Sequence, residues 1–232
     1  MKVAVIQSNY IPWKGYFDII HDSDLFIFYD DVQFTKNDWR NRNKIKVSGG
    51  VHWLSVPAGT DLNRTINEVK IQDSVWAKKH FKTIEQYYLK APYYKQYRDF
   101  LNHVYFERKW EFLSELNQFL IKTIAVDFLK CKTVFDTSLN YLPEGKGLHR
   151  LLDLLKKCKA DVYYSGPSAK NYIGENDFKD VGIELVWKDY SSYPEYPQLF
   201  PPFEHYVSIL DLLFNAGPDA PHYIWGWRES KS

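Results

Sequence analysis

Apolar residues run without interruption at Val3-Ala4-Val5-Ile6 and again at Leu25-Phe26-Ile27-Phe28-Tyr29. They recur, after a long stretch with a different period, at Thr133-Val134-Phe135, at Asp161-Val162-Tyr163-Tyr164 and at Ile183-Glu184-Leu185-Val186-Trp187. Short runs that are apolar on both faces fit strands covered on both sides, the condition of a parallel sheet, better than strands with one wet face. A helical pattern over residues 15–22 joins the first two runs, another over 146–159 falls between the later ones, and a short one lies near Ala169. This β-α-β succession predicts an α/β fold with a mostly parallel, Rossmann-like sheet.

Two other patterns are set into that frame. Lys44-Ile45-Lys46-Val47 and Val51-His52-Trp53-Leu54-Ser55-Val56 flank Ser48-Gly49-Gly50, which predicts a β-hairpin, and Val69-Lys70-Ile71 reads as a third strand beside it. Over residues 75–129 the period becomes helical, with a break at Pro92, which marks a helical insertion in a core made of residues 1–74 and 130–232. Such an insertion is expected to lie over the rim of a site at the sheet's carboxyl edge. A last helix over 206–215 stops at Ala216-Gly217-Pro218, where glycine and proline suit a helix end.

Charge changes this picture little. The 30 Lys and Arg against 29 Asp and Glu in 232 residues leave a net charge of +1, which argues against general charge-driven binding to nucleic acid or an anionic membrane. The segment before Gln7 is too short and too little apolar for a secretory h-region or a spanning helix, so a cytoplasmic protein without membrane insertion is expected. Cys131 and Cys158 lie far apart without paired spacing and read as two free thiols; no metal-ligand set is assigned. Composition adds one unusual feature, an aromatic share of 18% with 18 Tyr, which fits a large semi-polar pocket as well as an aromatic core.

Candidate chemistry gathers where strands end, because a parallel sheet binds ligands beyond its carboxyl edge. After the first run comes "QSNYIPWKGY", residues 7–16: Gln7 and Asn9 are placed to hydrogen-bond a polar ligand, Lys14 to neutralise an anion and Gly15 to let backbone approach it, with Tyr10 and Tyr16 as recognition side chains. The second run ends in "YDDVQFTKNDWRNRNKIK". Asp30 and Asp31 point to opposite sides of an extended chain, so one faces the crevice as a general base or as a holder of an amine or a divalent ion. Arg40 and Arg42 offer two-point anion binding and Trp39 a stacking face, among the polar Gln33, Lys36, Asn41 and Asn43. A solvated loop or a nucleic-acid patch are the other readings of this stretch. In "YYSGPSAKNYI", Ser165, Ser168 and Asn171 with the amides opening a helix could bind an anion, or Ser168 could simply cap that helix. Gln198, His205 and Ser208 add polar groups near the end, His205 as an acid or base or as a structural residue. None of the G-x-S-x-G, H-E-x-x-H, P-loop or G-x-G-x-x-G patterns occurs.

Four ordered motifs, "QSNYIPWKGYFDII", "FIFYDDVQFTKNDWRNRNKI", "SGPSAKNYI" and "SILDLLFNAGP", resemble the WbqC-like protein family over nearly the whole chain, residues 3–218. Members are associated with bacterial polysaccharide gene clusters, O-antigen (lipopolysaccharide) clusters among them. The resemblance implies a role in making or decorating an amino sugar, with transfer of glycine or a related amino acid. The first loop is also loosely similar to the nucleotide-binding loop of nucleotidylyltransferases and class I aminoacyl-tRNA synthetases, which carry a His where Tyr16 stands. The expected function is therefore a transferase that adds an aminoacyl or acyl group to the amine of a nucleotide-linked amino sugar. Asp31, ahead of Asp30, is its expected base, and Lys14, Arg40 and Arg42 are the anion binders. The donor is an aminoacyl adenylate made from ATP with Mg²⁺ or a charged tRNA. A non-catalytic module binding a nucleotide sugar or polysaccharide precursor is the alternative, and the pattern leaves the oligomeric state open.

Overall fold

The computed structural model describes residues 1–229. β1 (Lys2–Ile6) leads through a loop into α1 (Lys14–Asp22) and then β2 (Leu25–Phe28). A hairpin follows, β3 (Arg42–Val47) and β4 (Gly50–Ser55), turned at Ser48-Gly49 with Gly49 at φ 84°, a left-handed value that suits glycine. Three helices come next: α2 (Val75–Tyr88), α3 (Tyr94–Asn102) and α4 (Leu113–Thr123). Then β5 (Val134–Thr137), α5 (Gly147–Lys157), β6 (Val162–Ser165), α6 (Glu175–Lys179) and β7 (Glu184–Trp187) alternate, and α7 (Ile209–Ala216) and α8 (Gly226–Glu229) close the described chain.

Five strands make one parallel sheet in the order β5-β2-β1-β6-β7, so the expected α/β class holds. Successive residues of a strand face opposite sides. Val3, Val5, Leu25 and Ile27 pack with Leu154 and Leu155 of α5 and Phe178 of α6. Ala4, Phe26 and Phe28 pack on the other face with Phe17 and Ile20 of α1, Leu116 and Leu120 of α4, and Leu213 and Phe214 of α7. Both faces are thus covered, which is why these strands read as unbroken apolar runs. Each large side chain so buried contributes about 1.5–3 kcal/mol.

Two expectations are corrected. Residues 69–71 are not a strand beside the hairpin: a 3₁₀ turn, Ile66–Glu68, precedes them, and Lys70 forms an isolated bridge to Phe112 at the entry to α4. Three alternating residues carry too little pairing to hold a ladder of their own, and the buried Val69 serves helix packing instead. Residues 75–129 are largely helical, as expected, but none of them lines the cavity beyond the carboxyl ends of β1 and β6; α4 meets the carboxyl ends of β1 and β2 as a support, through Asn117 and Gln118. Trp76, Ile84, Tyr97 and Leu120 join the same apolar core as α1 and α7. The last long helix starts at Ile209, where the Ser208 hydroxyl caps it by accepting from the Leu210 amide at 3.2 Å.

From β1 the chain builds the sheet outward first through β2 and β5, then through β6 and β7 on the other side. α1 covers one face while α5 and α6 cover the opposite one. Beyond the carboxyl ends of β1 and β6, where the crossovers diverge, such a sheet leaves a crevice.

Candidate functional site

A cavity of about 560 Å³ occupies that crevice. Gln7 and Trp13 from the first loop, Tyr16 from α1 and Tyr29 from the end of β2 form one side. Tyr163, Tyr164 and the turn Ser165-Gly166-Pro167-Ser168 form the other, with Leu148 and Leu151 of α5, Tyr172 and Tyr190 completing it. Not one lining side chain is Asp, Glu, His, Lys, Arg or Cys. The site is a tyrosine-rich cup with amide and hydroxyl donors, suited to flat or puckered rings carrying hydroxyls.

The first loop is held rigidly. The buried Asp30 carboxylate accepts from the Ser8 amide at 2.7 Å and from Gln118 Nε2 at 2.8 Å, while Asn117 Nδ2 donates to the Arg40 carbonyl at 2.8 Å. Asn43 Nδ2 donates to the Tyr10 and Ile11 carbonyls at 3.1 and 3.0 Å. That support sits at a strained point, since Ile11 adopts φ 36°, unfavourable for a β-branched residue. Arg40 grips Gln7 Oε1 at 2.6 Å with one arm of its guanidinium and Asp38 at 3.1 Å with the other. With its oxygen so held, Gln7 has its amide NH₂ left for the crevice it lines. Tyr16, where the loosely similar enzymes carry His, donates its hydroxyl to the Gln7 carbonyl at 3.0 Å.

Asp30 and Asp31 do face opposite ways. Asp30 is 1% exposed, and burial pushes its carboxyl above the usual range, opposed by the bonds from Ser8 and Gln118. Asp31 accepts from the Ser138 hydroxyl at 2.5 Å and pairs with Arg150 of α5. The Arg150 guanidinium lies close enough to the Tyr29 hydroxyl to oppose the rise that burial gives it, so the Asp31–Arg150 pair adjoins the crevice through one tyrosine.

Of the other sequence-predicted residues, Ser165 and Ser168 line the crevice and Asn171 sits exposed beyond it. Asn9, Trp39 and Asn43 line a separate pocket of about 240 Å³ with Pro12 and Tyr206. Trp13 is the wall common to both spaces. Gln33 and Lys36 are exposed on the loop away from both, and Arg42 lies over the Trp53 ring at 4.4 Å. Asn41 is buried and donates to the Val56 carbonyl at 3.0 Å. Tyr10 is fully buried, its hydroxyl bonded to His80 Nδ1 at 2.8 Å and to the Tyr105 hydroxyl at 2.6 Å. Gly15 faces no ligand space: its missing Cβ is filled by the Trp13 indole.

Lys14 is 2% exposed and lies outside the crevice lining, its ammonium 4.8, 5.4 and 5.9 Å from the ring centres of Tyr193, Tyr196 and Phe203. Burial pulls it down to about 8, partly offset by the carboxylates of Asp211 and Glu195. Burial, and then Lys14 itself, lowers the neighbouring His205. Gln198 Nε2 donates to Asp211 at 2.7 Å, alongside the hydroxyls of Tyr88 and Tyr196 at 2.7 Å each, and Ser208 is the buried cap of α7. Sequence reasoning did not pick out Arg150, Tyr29, Tyr163, Tyr164 or Tyr190. The three tyrosines at strand ends carried a signal, their position at the carboxyl edge. Arg150 carried none, because only strand order brings α5 beside β2.

The WbqC-like protein family matches residues 7–223 of this chain. The chain belongs to that family. A relative of similar length is the uncharacterized protein Rv1507c of Mycobacterium tuberculosis (strain ATCC 25618 / H37Rv), 44% identical over 226 residues, which are 96% of this chain and 97% of the relative. No solved structure matches this WbqC-like chain. Among its described residues no helix is long and apolar enough to cross a membrane, and no group of three or more His, Cys, Asp or Glu is placed to hold a metal ion.

Proposed function

We propose that this WbqC-like protein binds a nucleotide-linked amino sugar in the crevice between β1 and β6 and transfers an aminoacyl or acyl group to its amine, in surface polysaccharide biosynthesis. The observation that carries the reading is the crevice itself. It lies at the switch point of a β5-β2-β1-β6-β7 sheet, has about 560 Å³ of space, and is walled by tyrosines with Gln7 and Ser165 as polar groups. Tyrosine faces suit base and sugar rings, and hydroxyl and amide groups suit their polar edges.

The lining itself carries neither a carboxylate for Mg²⁺ nor a cation for phosphates, so the phosphate charge of any nucleotide ligand would fall to the adjoining Asp31–Arg150 pair. An already activated donor such as aminoacyl-tRNA would spare the crevice a second, metal-bound triphosphate. In the reaction the sugar's neutral amine adds to the donor's carbonyl carbon, the bond to the leaving oxygen breaks, and the amine sheds a proton. Asp31 is the proposed acceptor of that proton. A phosphate that drew Arg150 off Asp31 toward Tyr29 would both anchor the ligand and free the carboxylate.

One observation favours the second reading, a non-catalytic binding module: no ionisable acid or base with a near-neutral range lines the crevice. The deciding experiment is mass spectrometry of UDP- and dTDP-amino sugars incubated with the protein and charged tRNA, and separately with ATP, Mg²⁺ and amino acids. A mass gain of one aminoacyl residue that disappears in Asp31→Asn supports transfer. Sugar nucleotide binding without any mass gain supports the module, and no binding at all refutes both.

A further inference from the structure

We propose that the smaller pocket behind Trp13 is a subsite for an uncharged pyranose ring of a saccharide. The pocket is lined by Asn9, Pro12, Trp13, Trp39, Asn43 and Tyr206, with no charged side chain among them. Trp39 and Tyr206 are 43% and 61% exposed, and the neighbouring Trp53 is 41% exposed. Large aromatic rings left in water next to a concavity forgo the gain of burial and mark a surface that something else covers.

The ring geometry selects the occupant. Trp13 and Tyr206 stand 5.3 Å apart at 36°, and Trp39 and Trp53 stand 5.7 Å apart at 32°. Neither pair offers the parallel planes that grip a flat base. A pyranose chair is thicker, has apolar C–H faces that pack on indole and phenol rings, and carries hydroxyls around its edge. Asn9, half-buried, brings a side-chain amide to the lining, its oxygen shielded from solvent and without a hydrogen-bond partner in the protein. Asn43 has both its amide hydrogens committed to the Tyr10 and Ile11 carbonyls, so it holds the pocket's floor in shape. The Lys44 ammonium lies 5.8 Å from the Trp53 ring centre and 6.0 Å from that of Trp39, and Arg42 lies over Trp53 at 4.4 Å, so Trp53 carries two cations and Trp39 one, which leaves Trp39 the more open platform.

The two spaces share Trp13, and Gln7 of the crevice and Asn9 of the pocket are two residues apart on one rigid loop. A saccharide here would therefore sit one indole away from a ligand in the crevice. The inference stands on the pocket alone and does not require the transfer reaction.

Saturation-transfer NMR on the full chain tests it, with methyl glucoside, methyl N-acetylglucosaminide, methyl galactoside and methyl rhamnoside as probes, and uridine and adenosine as flat-ring controls. At least one glycoside is expected to receive saturation through its ring C–H groups. Trp39→Ala, at an exposed position, is expected to weaken that glycoside on the order of tenfold or more, the loss of one stacking face. Ser165→Ala in the crevice is expected to leave it unchanged, which separates failure of this subsite from failure of the crevice. The proposal is overturned if no glycoside is saturated, if Trp39→Ala binds as well as the parent while remaining folded by circular dichroism, or if the nucleosides bind at Trp39 in preference to every glycoside.

Discussion

Gly15→Ala distinguishes two roles for the first loop's glycine. A glycine needed for close approach of a phosphate would tolerate a methyl group in the ligand-free protein and lose only binding. The geometry says otherwise: a Cβ on Gly15 would lie 2.3, 2.6 and 2.7 Å from three atoms of the Trp13 indole, where carbon atoms settle at about 3.5–4.0 Å. The indole would have to withdraw by about 1 Å, and Tyr190, Tyr193 and Tyr206 hem it in at 5.1, 6.1 and 5.3 Å between ring centres. Overpacking of this kind costs about 1–3 kcal/mol. Against it stands a gain of about 0.5–1 kcal/mol, since Ala is the better residue within α1. Gly15→Ala should therefore destabilise by up to about 2.5 kcal/mol, a fall in Tm of up to roughly 10 °C for a domain of this size. In a Trp13→Ala background the methyl meets no indole, and the sign should reverse to a gain of about 0.5 kcal/mol or more. Urea unfolding of the four proteins of this cycle measures both values. If Gly15→Ala has the same effect in both backgrounds, or stabilises the parent, the indole is not what fixes this position.

Three further outcomes are expected. His80 is buried beside Tyr10, and burial lowers its imidazole to about 4, so below about 6.5 the unfolded chain takes up a proton that the folded protein refuses. Stability should fall as pH drops from about 6.5 to about 4, by up to about 1.4 kcal/mol per pH unit from this group, and His80→Gln should flatten the urea midpoints over that range. Arg150→Ala leaves Asp31, 11% exposed, with Ser138 alone, at a cost of about 1–3 kcal/mol; adding Asp31→Asn should recover part of it in thermal melts, and a double variant no better than the single one would contradict the pairing. Asp18→Asn removes a fully buried carboxylate that pairs with Lys188 at 3.1 Å and Arg228 at 2.7 Å and accepts from Tyr193 at 2.6 Å. With Asp22 still 2.5 Å from Lys188, a loss near the lower end of about 3–5 kcal/mol is expected, and one under about 1 kcal/mol would show that the cluster is not a buried charge network.

The sheet was legible because burial on both faces erases alternation and leaves apolar runs that stand out from their polar turns. The helices of residues 75–129 were legible from period, but their docking was not, because period tells which face is apolar and not what it meets. The site divided along the same line. Gln7, Tyr16, Ser165 and Ser168 could be placed from strand ends alone. Tyr10, Asn41 and Asn43 are equally polar or aromatic, yet they spend their hydrogen bonds inside the protein, on His80, on the Val56 carbonyl and on the loop's own carbonyls. A loop has no period to separate inward from outward residues, so recognition side chains and struts look alike in sequence.

The strand order also sets when the crevice can exist. Val3 pairs with Leu25 on one side and with Tyr163 on the other, 160 residues further along the chain. At roughly 5–20 residues per second, a ribosome delivers that second partner about 7–28 seconds after the first. Until then β1 is an edge, with one row of amides and carbonyls open to any strand that passes. Gln7 waits on this edge for Ser165 to arrive, so the crevice is assembled last. A nascent or truncated chain that ends before β6 lacks one wall of the crevice, so the binding energy of the proposed ligand could stabilise only the finished sheet.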